Sequence, residues 1–315
     1  MMKRILLLGG TGFVGRHVCE HLARAGLQMT VPTRRAVNAQ SVQTLPGVTV
    51  LEADIHDEAT LARLVPGHDA VISLVGVLHG KPARFQLNHV ELPRKLAKAM
   101  KAAGVPRLVH VSALGASPTG PSHYQRSKAA GETLLRESGL DLTLLRPSVI
   151  FGAGDSFLRL FARLQASLPV MLLPGASARL QPVWVGDVAS AAVRCLLDPA
   201  TIGQTYELAG PRPYTLGELV RLAGRLSGHP RPVIGLPLAF GHLQAMALQL
   251  LPGEPLMSSD NLASLKVDNV ASGQLPGLAE LGIVPAPLEP TAARYLELDG
   301  RADPLLALRR RHPLG

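Results

Sequence analysis

Seven residues constrain this chain more than any others: Gly9-Gly10-Thr11-Gly12-Phe13-Val14-Gly15, set directly behind the apolar run Ile5-Leu6-Leu7-Leu8. Glycines are needed in such a place because the turn is tight, because a bound group must come close to the backbone, and because the next helix must pack hard against the strand. The stretch satisfies G-x-G-x-x-G through Gly10, Gly12 and Gly15, and G-x-x-G-x-x-G through Gly9, Gly12 and Gly15. A helix starting there presents unpaired N–H groups and the positive end of its dipole to an anion. Gly9, Thr11, Gly12, Phe13, Val14 and Gly15 are therefore expected to cradle the diphosphate of a dinucleotide.

The rest of the pattern says what surrounds that turn. Short apolar runs at 4–8, 28–32, 48–52, 70–74, 107–111 and 141–145 alternate with amphipathic segments at 15–25, 58–64, 86–103 and 122–137. That alternation is the rhythm of βαβ units, and strands rich in Val, Ile and Leu without polar alternation belong to a sheet covered on both faces. The expected fold is α/β, a Rossmann-like doubly wound parallel sheet. After Phe151-Gly152 the chain becomes richer in Pro and Gly, with shorter helical patterns at 155–168, 187–197 and 215–227. We divide it into a NAD(P)-binding Rossmann domain at 1–152, a smaller α/β substrate or partner lobe at 153–300 that interleaves with it, and a basic tail at 301–315. Thr215 and Glu218 form a capping-box signature, and Asp187 is expected to cap the helix that follows it.

Composition closes off several function classes. With 47% hydrophobic and 17% charged residues, the 315-residue chain can bury a core, and long disorder is excluded. Its two cysteines, Cys19 and Cys195, cannot build a disulfide framework or a zinc site, and the histidines show no clustered ligand spacing, so no metal is expected. The formal charge of +9 is spread along a chain with only 3% aromatic residues, so nucleic acid is not an expected partner. The apolar start meets Gly9 too early for a signal peptide, which points to a cytoplasmic protein. Residues 238–251 are apolar almost all round, a pattern of burial or of an interface.

Cofactor choice is read at the end of the second strand, Val31-Pro32-Thr33-Arg34-Arg35. There is no acid to accept from the ribose hydroxyls of NAD, whereas Arg34 and Arg35 stand where a 2′-phosphate lies, so NADP(H) is favoured over NAD(H). Asp54 and Ile55 are expected to flank the adenine, and Val75, Gly76 and Pro147 to line the cofactor further along the sheet. Tyr124 and Lys128, four apart on a helix, put a phenol and an ammonium on one face. A nearby positive charge favours the phenolate, so Tyr124 could exchange a proton with an alcohol or carbonyl while Lys128 holds the nicotinamide ribose.

Taken together, Gly9 to Gly15, Tyr124 with Lys128, Arg146-Pro147-Ser148-Val149-Ile150-Phe151-Gly152 and Pro182-Val183-Trp184-Val185-Gly186-Asp187-Val188 resemble the short-chain dehydrogenase/reductase superfamily, in its extended or atypical branch. More narrowly, Ser127-Lys128-Ala129-Ala130-Gly131-Glu132, Ile150-Phe151-Gly152 with Asp155, and Asp268-Asn269-Val270 resemble bacterial relatives of the NAD(P)H-binding accessory subunit of respiratory complex I. The resemblance implies NADP(H) in the N-terminal domain, and it matches Asn88 to a structural or catalytic asparagine. It also implies contact with a membrane respiratory complex, which would place the protein at the inner face of a membrane. One departure concerns the substrate-oxygen donor: Leu114 stands where a hydroxyl residue is expected, leaving Ser112 as the candidate. Three functions follow. They are an oxidoreductase acting on an unknown small molecule through Tyr124 and Lys128, a weakly catalytic or non-catalytic accessory or assembly factor, and a nucleotide-sugar epimerase or dehydratase.

Overall fold

The computed structural model describes residues 2–237 and 259–300; the apolar segment 238–251 and the basic tail 301–315 lie outside the described residues. Strands β1 (Arg4–Leu8), β2 (Gln28–Thr33), β3 (Val48–Glu52), β4 (Ala70–Ser73), β5 (Arg107–Val111), β6 (Asp141–Pro147) and β11 (Thr205–Leu208) form one sheet, in the order β11-β6-β5-β4-β1-β2-β3. Every pairing in it is parallel. The order reverses between β1 and β4, and in such sheets a crevice opens beyond the carboxyl ends of the strands at that reversal.

Burial explains the unbroken apolar runs. Ile5, Leu6, Leu7 and Leu8 are all fully buried, because alternate side chains enter two different cores. On one face Ile5 and Leu7 pack with helices α1 (Phe13–Arg24) and α7 (Val185–Leu197). On the other, Leu6 and Leu8 pack with α2 (Glu58–Leu64), α4 (Leu92–Ala103) and α5 (His123–Glu137). Small residues Ala189, Ala191 and Ala192 on α7 allow that helix to lie close to α1. Beneath β5 and β6, the buried Arg107 guanidinium donates to the Asp141 carbonyl (2.7 Å), Thr143 Oγ1 (2.9 Å), Thr201 Oγ1 (3.1 Å) and the Cys195 carbonyl, tying the sheet to α7.

The smaller lobe has its own core of Phe151, Phe161, Leu173, Leu219, Leu222, Leu288 and Leu296. It is built from α6 (Leu158–Ser167), α8 (Leu216–Leu226), α9 (Ser259–Ser264) and α10 (Leu288–Gly300), with the strand pairs β7 (Ile150–Phe151) and β10 (Val183–Trp184), β8 (Met171–Pro174) and β13 (Val233–Leu236), and β9 (Arg179–Leu180) and β12 (Tyr214–Thr215). The chain passes between the two parts more than once: α7 and β11 return to the Rossmann layer before α8 re-enters the lobe.

Several expected elements differ in detail. The helix expected over 86–103 is three pieces, α3 (Pro82–Gln86), a π turn at Leu87–Glu91, and α4. Thr215 and Glu218 do form the capping box of α8. Asp187, expected as a cap, lies inside the first turn of α7, whose cap residue is Trp184; the carboxylate instead accepts from the Ala286 amide at 2.8 Å. Asp187 is buried, so the carboxylate takes the tertiary amide of Ala286 in place of a local one.

Candidate functional site

The glycine turn is held by sterics that can be checked residue by residue. Gly9 has φ +85°, a conformation that disfavours a side chain, and its amide-linked turn closes through Gly12 N–H donating to the Gly9 carbonyl at 3.1 Å. A Cβ on Gly10 would lie 2.8 Å from Val31 Cγ1, and one on Gly15 would lie 2.6 Å from Gly10 Cα, so neither position accepts one. Gly12 is different: an added Cβ would meet only the Gly9 carbonyl, at 3.3 Å. Its openness faces solvent rather than protein. Gly12 caps α1 without a side-chain acceptor, which leaves the first amides of that helix, at Phe13 and Val14, for an anion. Thr11 is partly buried beside them. Phe13 stacks edge-on with His17 (6.0 Å) and lies 5.6 Å beneath the Arg16 guanidinium, which donates to the Ala153 carbonyl of the lobe.

At the ends of β2 and β3 the chain gathers a basic group. Arg34 and Arg35 are exposed just past β2, and Asp54 is exposed just past β3, its carboxylate accepting from the His56 amide at 3.0 Å. Burial holds the His56 imidazole below its ordinary pKa; Asp54 opposes that, while Lys95 and Arg34 add to it, so these groups share one neighbourhood. The Lys95 ammonium donates to the His56 carbonyl at 2.6 Å, and Ile55 packs partly buried on the core under α2 and α4.

The other end of the crevice lies beyond β4, β5 and α5. Lys128 is buried (5% exposed) and donates to the Val111 carbonyl at 3.2 Å. Desolvation lowers its pKa from an ordinary 10.5 to about 8, against the opposing charge of Glu132 one turn on. Val75 is partly packed on the core, and Gly76 passes so close that a Cβ there would sit 3.1 Å from Lys128 Nζ. Glu132 is itself held by Arg146 through two hydrogen bonds of 2.9 and 2.5 Å.

Tyr124 opens the same helix, one residue inside its start. Phe85 and His89 pack edge-to-face on its ring at 6.2 and 5.6 Å. Removal from water pushes its phenol well above the ordinary value, and desolvation is the cause. The expected lowering by Lys128 does not occur, because the ammonium is turned toward Val111 and Gly76. Ser112, at the end of β5, is buried with its Oγ unpartnered among the described residues. Leu114 offers no donor: its amide binds the Pro147 carbonyl (2.9 Å), its carbonyl accepts from Asn269 Nδ2 (3.0 Å), and its side chain is buried. Asn88 is buried and donates to the Arg84 carbonyl at 2.8 Å, within its own helical segment.

These features fit a dinucleotide along the crevice: an uncapped helix start, a basic corner, a buried ammonium and an unpartnered hydroxyl converge on one edge of the sheet. Residues 9–161 match a family described as NAD(P)H-binding. Mouse mitochondrial NADH dehydrogenase [ubiquinone] 1 alpha subcomplex subunit 9 is 35% identical over 289 residues, covering 90% of this chain and 77% of that one. The chain belongs to the NAD(P)H-binding family of alpha subcomplex subunit 9. A relative in Caulobacter vibrioides named ceramide reductase is 30% identical over 236 residues, 74% of this chain and 73% of that one. In fold, the subunit 9 family member superposes on an NADPH-dependent quinone oxidoreductase of Escherichia coli with a TM-score of 0.73, at 25% identity over 93% of this chain and 99% of that one.

Sequence reasoning about this subunit 9 family member missed His89. Its Nε2 accepts from the Val77 amide (3.1 Å), so Nδ1 carries the proton and donates to Ser127 Oγ (2.8 Å), which donates on to the Tyr124 carbonyl (2.9 Å). Burial and the Lys128 charge lower its pKa to about 2, so it stays neutral. The available signal was its spacing four residues after Phe85, on the face that α3 and the π turn bury. His110, buried in β5, is likewise lowered to about 3 by burial and the Lys128 charge, and its Nδ1 has no partner among the described residues.

Proposed function

We propose that this protein binds NADP(H) and carries out reductase-type chemistry on a carbonyl-bearing or quinone-like small molecule, with Tyr124 supplying the proton and Lys128 holding the nicotinamide ribose. The observation that carries the reading is the buried Lys128 ammonium, set against Gly76 and the Val111 carbonyl just beyond the ends of β4 and β5. Water has been removed from around this charge at a substantial energetic cost, and a ribose diol is the partner that would offset it. Bound NADPH would supply a hydride. Everything else in the chemistry belongs to the chain.

Gly9 to Gly15 and the start of α1 hold the diphosphate, and Arg34 with Arg35 receives the 2′-phosphate, Asp54 and Ile55 flanking the adenine. Val75, Gly76 and Pro147 line the crevice toward Lys128. Tyr124, like any phenol, is protonated at neutral pH, and burial raises its pKa further, so its role is to give a proton to a substrate oxygen rather than to remove one. Ser112 Oγ is the hydroxyl left to steady that oxygen. Asn88 orders the π turn that presents His89 to Tyr124. The relatives named ceramide reductase and NADPH-dependent quinone oxidoreductase support both the reaction class and the nucleotide.

A second reading follows from the 35% identity to a mitochondrial NADH dehydrogenase subunit: a protein that retains its nucleotide and serves a membrane respiratory complex. Leu114 in place of a hydroxyl residue favours it. Among the described residues no helix is long and apolar enough to cross a membrane, and this reading takes the contact as a peripheral one. One preparation tests both. NADPH and NADH affinities are measured by fluorescence for the wild type and Arg34→Ser/Arg35→Ser, and quinone and carbonyl acceptors are tested with the wild type and Tyr124→Phe. NADPH preference lost in the arginine variant, with turnover lost in Tyr124→Phe, is the expected result. Turnover that survives Tyr124→Phe removes the phenol from the chemistry, and tight NADPH retention without turnover favours the second reading.

A further inference from the structure

Helix α9 (Ser259–Ser264) of the lobe places two adjacent side chains on the two walls of the Lys128 end of the crevice. The Asp260 carboxylate accepts from the His123 amide (2.7 Å) and the Tyr124 amide (3.1 Å), the first two of α5. The Asn261 amide Nδ2 donates to His79 Nδ1 at 3.2 Å. His79 lies in the connection from β4 to α3, the same connection that lays Gly76 against Lys128 and sends the Val77 amide to His89.

Helix α5 does not need Asp260 in order to start. It has a complete capping box of its own: Ser122 Oγ accepts from the Gln125 amide (3.1 Å), and Gln125 Oε1 accepts from the Ser122 amide (3.3 Å). A carboxylate brought from more than 130 residues away therefore adds a fixed relation between the lobe and the helix bearing Tyr124 and Lys128. The neighbouring Asn261 fixes the same lobe element to the opposite wall. His89 joins those walls from within, through Val77 and Ser127; α9 joins them from the lobe side.

We infer that Asp260 and Asn261 are positioning residues that hold the two walls of the crevice together from the lobe and thereby set how long the nucleotide stays bound. The inference rests on the nucleotide reading given above. It concerns release more than entry, because breaking a few contacts in a formed complex changes dissociation far more than encounter.

The experiment follows NADPH release from the full-length protein by stopped-flow fluorescence, with unlabelled nucleotide as the chase. Asp260→Ala and Asn261→Ala are each expected to release NADPH about tenfold faster, with association changed by less than about threefold. Asp260→Asn keeps the shape and one acceptor, so its release rate falls between wild type and alanine. The double variant His79→Ala/Asn261→Ala releases NADPH no faster than Asn261→Ala alone, since the His79 contact is already lost in the single variant. Ser122→Ala, which weakens the same helix start from within its own loop, lowers the melting temperature and leaves release close to wild type. Unchanged release in Asn261→Ala and both Asp260 variants overturns the inference, and so does equal acceleration by Ser122→Ala. A wild type that binds neither NADPH nor NADH refutes the nucleotide reading, and this inference with it.

Discussion

Replacing Lys128 by methionine should make the ligand-free protein more stable while weakening its hold on nucleotide. The side chain is 5% exposed, and burial lowers its pKa from 10.5 to about 8. Below pH 8 the lysine is charged in both folded and unfolded chains, so the folded state carries the full cost of the buried ammonium. Between 8 and 10.5 the unfolded chain binds a proton that the folded one does not, so stability rises with pH, and above 10.5 the cost is gone. At about 1.4 kcal/mol per pH unit, the cost below pH 8 is about 3.5 kcal/mol. Methionine has a similar length and no charge to desolvate, so Lys128→Met should recover most of that, raising the melting temperature at pH 7 by on the order of 5 °C. The measurement is a pair of thermal melts without nucleotide, at pH 7 and near pH 10.5, where the two proteins should converge. With NADPH at about a hundred times its wild-type Kd the gap should shrink to a small fraction, since ligand linkage then stabilises the wild type by about 2.7 kcal/mol and the variant by much less. A ligand-free Lys128→Met protein that melts at or below wild type at pH 7 would refute the view that this ammonium is held at a loss.

Three further outcomes test other parts of the structure. Gly12→Ala should lose only about 1 kcal/mol of stability yet lose NADPH binding at least about tenfold, because its Cβ meets one protein atom, the Gly9 carbonyl, and stands at the start of α1 where a phosphate would approach; Gly15→Ala should lose about 2 kcal/mol or more of stability as well, since its Cβ overlaps the Gly9–Gly10 backbone, and urea melts with fluorescence titrations separate the two. Glu132→Gln leaves the Arg146 guanidinium short of its charge partner at a destabilisation of about 2–4 kcal/mol; it also removes the charge that raises the Lys128 pKa, so NADPH affinity should begin to fall at a lower pH than in wild type when titrated from pH 6 to 9. Arg107→Met should cost about 2–3 kcal/mol in urea unfolding by stripping donors from the Asp141 and Cys195 carbonyls, without changing the NADPH dissociation constant, because Arg107 lies beneath the sheet and away from the crevice.

The parts legible in the sequence are those fixed by local periodicity or by a short steric motif. The boundaries of β3 at Val48–Glu52 and β5 at Arg107–Val111 follow from apolar runs, and the Gly9–Gly15 turn follows from the few ways a strand can pass into a helix. The spacing of Tyr124 and Lys128 puts them on one helix, as α5 has them, but says nothing of the state of the phenol, which depends on how much of the fold closes over it. The π turn at Leu87–Glu91 has no sequence mark of its own, since one wide turn inside a helical pattern hardly disturbs the apolar spacing. Asp187 illustrates the limit: a plausible local cap was claimed by the Ala286 amide, 99 residues away. Asp260 and His79 were invisible for the same reason, as nothing near them in the chain indicates which amide or imidazole they will meet.

The outermost strand of the large sheet arrives late. Thr205 to Leu208 pair with Leu144 to Pro147, so the edge of β6 has no neighbour until about 60 more residues have left the ribosome. Meanwhile a nascent chain ending near residue 152 would carry an exposed parallel edge, and one face of its sheet would lack α7. The lobe is thus threaded through the Rossmann layer during synthesis, not appended to it. Fragments cut at 152 should aggregate, whereas a chain carried through 208 already has its last strand, and a ribosome-bound series stalled once residues 152, 180 and 212 have emerged from the ribosome would show protection of β6 only in the longest.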